Sequence, residues 1–278
     1  MAQLVEHHLA KVRVAGSNPV VRSREFRRAR RFVVIGLALA ALSLAACSGE
    51  PRHDAVVAAA SDTRDAFAEV ARVLNEREGL DIGFVFGSSG MLREQIINGA
   101  PFDVFVSANL AFVDEVIAAG AGVQESQRAF AVGSLAVIAA PGVALPSPMN
   151  LLTVLGDEPR VVIANPAHAP YGVAAREALL SLGVFGLLEK RLILADNVAD
   201  AVRIVDAGEA DLGIVALPLV INREHLEVPS ELHEPIRQSL VITTRGAANS
   251  AAARFVEFLQ SPEGRSILQR FGFTVDAQ

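Results

Sequence analysis

From about residue 56 onward, short apolar runs alternate with polar turns and with stretches of helical periodicity. Residues 56–60 predict a buried strand. Ser61-Asp62-Thr63 then leads into a helix over about 64–78, with Ala66, Phe67, Val70, Ala71 and Leu74 on one face and Gly79 as its stop. Residues 82–86 form the next strand, Gly87-Ser88-Ser89-Gly90 turns into a helix through Ile97, and Asn98-Gly99 closes it. A strand at 104–107 and a helix at 111–119 repeat the unit. After Phe130 the pattern lengthens into one apolar strand, 133–140, followed by a turn-rich loop over 141–150. Strands at 161–164, 192–194, 212–216 and 238–243 then alternate with helices at 171–182, 198–207 and 250–260, and a helical turn at 263–271 finishes the chain. Such alternation predicts an α/β fold whose sheets are parallel or mixed and covered on both faces.

Composition narrows the class. The 278 residues are 51% hydrophobic and 20% charged, so the chain is no disordered segment and can bury one large or two medium cores. Its single Cys excludes an intramolecular disulfide and a Cys-cluster zinc site. The formal charge of −6 is unevenly divided: residues 1–46 hold 8 Lys/Arg against 2 Asp/Glu, and the remainder 17 against 29. A body that acidic excludes nucleic acid as a partner.

The basic end reads as an address. Six Arg lie between Arg22 and Arg31, and residues 32–46 follow without a charge, ending Leu44-Ala45-Ala46-Cys47. A basic region, an apolar core and small residues at its end make a signal peptide over residues 1–46. Fifteen apolar residues fall short of the roughly 20 that span a bilayer. The thiol after Leu-Ala-Ala resembles a bacterial lipobox, which makes Cys47 the lipidated N-terminus of the mature chain and 47–55 its linker. The plain alternative is an uncleaved anchor helix with an incidental Cys. Residues 1–21 fit neither: Met1 to Ser23 resembles the translation of a tRNA gene, and the start is expected near Val20 or Val21.

Candidate chemistry gathers at four strand-to-helix turns, where open α/β sheets bind ligands. These are Ser61-Asp62-Thr63, Gly87-Ser88-Ser89-Gly90, Asn165 to Gly172, and Asp196-Asn197-Val198. Helix starts offer unpaired N–H donors and about half a positive charge each, so converging ones bind an oxyanion without Lys or Arg. Singly, Ser and Asp cap helices for structural reasons alone. Enzyme patterns fit less well. Met91 stands where a nucleophile elbow needs its second Gly. His168 could serve Ser89 as a base, but Pro166 and Pro170 flank it in a stiff turn. Asp103 reads as a strand-entry cap. No zinc-protease helix and no phosphate loop occurs.

Six segments in register resemble the periplasmic molybdate-binding proteins of ABC transporters: Ala58-Ala59-Ala60-Ser61; Phe86-Gly87-Ser88-Ser89-Gly90; Asn98 through Ala108; Asn165 through Gly172; Leu212-Gly213-Ile214-Val215; and Phe271-Gly272-Phe273-Thr274. The resemblance implies a two-lobed, type II periplasmic binding protein with the ligand clamped between its lobes, lobe 1 from 54–132 plus 220–278 and lobe 2 from 133–219. It implies a monomer that binds molybdate or tungstate, delivers it to an ABC permease and its ATPase, and is not an enzyme. Neither a cofactor nor a cation site is expected. The ligand positions it carries over are Ser61 or Asp62 in the first turn, Ser89 in the second, and the backbone N–H groups of Tyr171 and Val198. A fifth family position, a Tyr, is Ala216 here, and Tyr171 is the candidate to replace its hydroxyl. Where Asp62 stands the family commonly has a second hydroxyl. A carboxylate about 5 Å from a dianion would cost roughly 3 kcal/mol per unit of ligand charge. Asp62 is therefore expected to offer its N–H and to turn its side chain back toward the helix start at Arg64. The alternatives are another oxyanion or a small organic acid in the same fold and, in a different class, a lipoprotein hydrolase using Ser89 and His168.

Overall fold

The structure is a computed structural model that describes residues 53–145 and 159–275. The expected signal, the anchor at Cys47 and residues 146–150 of the 141–150 loop lie outside those residues. Strands β1 (Ala55–Ala60), β2 (Ile82–Gly87), β3 (Val104–Ser107), β4 (Arg128–Gly133) and β10 (Ile236–Ile242) form one sheet in the order β2, β1, β3, β10, β4. Strands β5 (Leu135–Ala139), β6 (Val161–Ala164), β7 (Ile193–Ala195), β8 (Leu212–Ala216) and β9 (Leu226–Glu227) form the other, in the order β7, β6, β8, β5, β9. This is the two-lobed α/β fold that the sequence resemblance implies.

Each lobe has a parallel half. β1 pairs in parallel with β2 and β3, and β6 with β7 and β8. These strands read as unbroken apolar runs because helices cover both faces. β10 runs antiparallel between β3 and β4, and β5 antiparallel between β8 and β9. The antiparallel strands follow from the chain crossing between lobes. The strand expected over 133–140 is β5, and the strand that periodicity did not separate from it is β4, which ends at Gly133 and lies in the other sheet; the two meet at Ser134. The return passage lies between β9 and β10, so Leu226–Glu227 pairs in the second sheet.

Helix α1 (Arg64–Glu78) ends at Gly79 with φ 69°, the left-handed cap its sequence predicts. Its Phe67 packs edge-on to Phe255 with ring centroids 5.4 Å apart and touches Phe84 and Phe130. Helices α2 (Ser89–Ile97) and α3 (Leu110–Ala118) cover the other face of the first sheet; α4 (Pro170–Ser181), α5 (Phe185–Leu188) and α6 (Val198–Asp206) cover the second. The C-terminal helices α7 (Ser250–Gln260) and α8 (Pro262–Arg270) return to α1, where Arg254 pairs with Glu78 and Arg77 with Glu263. The first lobe is thus built from both ends of the described chain. No helix of the described residues is long and apolar enough to cross a membrane.

Candidate functional site

The four turns singled out in the sequence leave the carboxyl ends of β1, β2, β6 and β7 and converge on one cavity. Ser61, Asp62, Ser89, Tyr171 and Val198 all line it, with Ser88 beside them. The space is small, about 10 Å³. Two larger grooves, about 400 and 370 Å³, hold none of the five residues. Size therefore does not point to the site here; the convergence of helix starts does.

Each donor is set by local structure. Ser61 and Asp62 begin a single 3-10 turn, Ser61–Thr63, directly after β1, and the Thr63 hydroxyl donates to Ala60 O at 2.7 Å. Ser61 Oγ accepts from Ala199 N at 3.4 Å, across the cleft. Ser89 is the first residue of α2. Its Oγ accepts from Ala108 N at 3.0 Å, which leaves the hydroxyl hydrogen free to donate into the cavity. On the second lobe, Tyr171 and Val198 occupy the first turns of α4 and α6, where a helix has N–H groups without intrahelical partners. Asn197 caps α6 by accepting from Ala199 N and Asp200 N, both at 3.0 Å. A wall of neutral hydroxyls and helix N-termini has the chemistry to hold an oxyanion.

The sequence profile described as bacterial extracellular solute-binding protein matches residues 55–274. The chain belongs to that family. It is 32% identical to the molybdate-binding protein ModA of Rhodobacter capsulatus, over 84% of this chain and 92% of that protein. It is 25% identical to YvgL of Bacillus subtilis, provisionally named an ABC transporter substrate-binding lipoprotein, over 88% of this chain and 98% of that one. The solved periplasmic molybdate-binding protein of Azotobacter vinelandii superposes with a TM-score of 0.75 at 28% identity, covering 80% of this chain and all of that one.

In this solute-binding protein Asp62 departs from its expected placement. Its carboxylate neither caps α1 nor pairs with Arg64. The α1 start shows no side-chain cap, and the Arg64 guanidinium lies 5.7 Å from the Phe86 ring. Instead Asp62 Oδ2 accepts from the Gln238 side-chain amide, while Oδ1 is buried without a partner at bonding geometry. Burial lifts the carboxyl pKa from 3.8 to about 6, opposed first by the Gln238 amide, then by the Tyr171 hydroxyl and the nearby N–H groups of Asp62 and Thr63. The local reading failed because the deciding partner is 176 residues away on β10.

The Tyr171 phenol also turns toward β10 and the end of β4, where the chain crosses between the sheets. Gln238 Nε2 donates to its oxygen at 3.3 Å, and burial, then the Asp62 charge, pushes its pKa well above the ordinary phenol value. It rests on Gly133 at the end of β4, where a Cβ would come within 2.0 Å of the phenol oxygen. Ala216 is fully buried at the end of β8 and is not part of the cavity wall.

The serine bonded to His168 is not the one that the alternative hydrolase reading named. His168 Nδ1 lies 2.8 Å from Ser88 Oγ, and His168 O accepts from Gly90 N at 2.9 Å, both across the cleft. His168 therefore fastens the two lips through Ser88, and Ser89 has a different partner. Asp103 lies apart from the cavity, and its Oδ2 accepts from Val56 N at 2.8 Å. Among the described residues no three His, Cys, Asp or Glu cluster to hold a metal ion. Gln238 and Gly133 were not singled out in the sequence, and Ser88 was named only as part of the second turn. The one legible signal was Gln238 itself, a long polar side chain inside an apolar strand and fully buried.

Proposed function

We propose that this chain is an extracytoplasmic, lipid-anchored receptor that captures molybdate, and tungstate with it, and delivers it to the permease and ATPase of an ABC transporter. It turns over no substrate and works as a monomer. The observation that carries the reading is the convergence of Ser61, Ser89, Tyr171 and Val198 on one cavity. Neutral, pre-aimed donors stabilise an oxyanion without a counterion and release it intact. The molybdate-binding relatives support the choice of anion, and the transporter-associated relative supports the partner. The lipobox at Leu44-Ala45-Ala46-Cys47 supports the anchor.

Calorimetric titration of the purified protein with molybdate, tungstate and sulfate tests the reading. Saturable binding of the first two, with sulfate at least about tenfold weaker, a gap of some 1.4 kcal/mol, is the expected result. No binding of any of the three overturns it. Cys47→Ala should leave an unprocessed, unlipidated precursor, and mass spectrometry of the wild-type N-terminus decides whether the anchor is real.

A further inference from the structure

Asp62 places a carboxyl group on the wall of a cavity otherwise built for an anion. It is 1% exposed. One oxygen is held by Gln238, and the other is buried without a partner at bonding geometry, near the Tyr171 hydroxyl. The elements packed around it bring no positive side chain to it. From α4 comes the Tyr171 phenol, from β10 the Gln238 amide, from α6 the Val198 and Ala199 backbone, and from Leu217–Leu219 an apolar turn. Polar side chains of the neighbouring turns are engaged elsewhere: Asp200 with Arg203 at 2.8 Å, Arg64 over Phe86, and His168 on Ser88. An ionised carboxylate and a dianion repel each other in such a space, whereas one proton between them makes a charge-assisted hydrogen bond.

We propose that Asp62 binds the oxyanion through a shared proton, so that each dianion captured takes up one proton from solvent. The proton comes to lie between Asp62 Oδ1 and a ligand oxygen, and the complex carries one charge less than its separated parts. No other bond forms and nothing is oxidised or reduced. This inference rests on the oxyanion reading of the site. Burial has already lifted the Asp62 carboxyl to about 6, and an adjacent dianion raises it further.

The test is calorimetric titration of the full chain with molybdate and with tungstate between about pH 6.5 and 8.5, in two buffers of different ionisation enthalpy, a range over which both free anions are fully deprotonated. The dissociation constant of the wild type should rise about tenfold per pH unit, with about one proton taken up per anion. Asp62→Asn keeps the acceptor for Gln238 and supplies a permanent N–H donor. Its affinity should be flat with pH, without proton uptake, and at least about tenfold tighter than wild type at the alkaline end. A flat wild-type profile without proton uptake overturns the inference. So does the same slope in Asp62→Asn, which would assign the proton to another group. The wild-type proton count decides the matter alone if the variant does not fold. If neither protein binds either anion, the oxyanion reading itself fails, and the inference with it.

Discussion

In the proposed site the two lips of the cleft do the same work with different materials. The first lobe offers side chains: the hydroxyls of Ser61 and Ser89 and the carboxyl of Asp62. The second lobe offers backbone, the N–H groups in the first turns of α4 and α6. Backbone donors are fixed by the helix and neither titrate nor change with the side chain. Side-chain donors can be exchanged, removed or protonated. Tuning of this site, in evolution or in the laboratory, therefore belongs to the first lobe, and integrity of the helix starts to the second.

Gly172→Ala should have the largest effect, because it strikes the backbone lip. A Cβ there would stand 2.1 Å from Ala164 O, a rigid backbone atom at the end of β6. Displacement of the α4 start should cost about 3 kcal/mol or more in stability and remove anion binding at the same time. A variant with wild-type melting temperature and affinity would show that the turn is more pliable than its packing implies.

Asp62→Asn comes next, and its sign depends on pH. The folded carboxyl has its pKa raised from 3.8 to about 6. Its contribution is therefore fully present below about pH 4 and is lost as pH rises through about 6, some two pKa units at 1.36 kcal/mol each, or about 3 kcal/mol. The variant should match wild type at low pH and gain up to that amount above about pH 6.5. Denaturant unfolding at pH values on either side of that window measures it. A difference between the two proteins that does not vary with pH would refute the assignment.

Ser89→Ala removes a hydroxyl on the cavity wall whose oxygen accepts from Ala108 N, leaving its hydrogen for a ligand. A hydrogen bond to a charged group is worth about 1.5–3 kcal/mol, so molybdate affinity should fall roughly ten- to a hundredfold. An unchanged dissociation constant would reduce Ser89 to a structural partner of Ala108. Val198→Ala is the matching change on the other lip and should have the smallest effect on binding, within about threefold, since the N–H stays in place while only core packing is lost. If Val198→Ala proves as harmful as Ser89→Ala, the contrast between the lips does not hold.

Those contrasts also track what could be read from the sequence. Strand-to-helix turns are local, written in a few residues by apolar runs, caps and glycines, and all five proposed ligand positions meet at one cavity. The crossing between the sheets was harder. β4 and β5 merge into one apolar stretch, broken only at Gly133-Ser134, and periodicity does not mark a change of sheet. Asp62 misled for a related reason. Its neighbours in sequence suggest a helix cap, while its partners in space come from far along the chain, Gln238 from a late strand and Tyr171 from a helix of the opposite lobe.

The position of β10 also sets an order of assembly. Every strand of the second sheet is in hand once the chain reaches Glu227. The first sheet is not, because β10 slots between β3 and β4, pairing Ser239 with Ser107 and with Ala129. Until that late segment arrives, β3 and β4 each present a naked edge, the kind of surface through which partly folded chains stick to one another. The same insertion brings Gln238 to Asp62, so the carboxyl gains its amide partner only when the last strand is seated. A chain truncated before Ile236 would thus have a finished second lobe and an unclosed first sheet that is prone to aggregate.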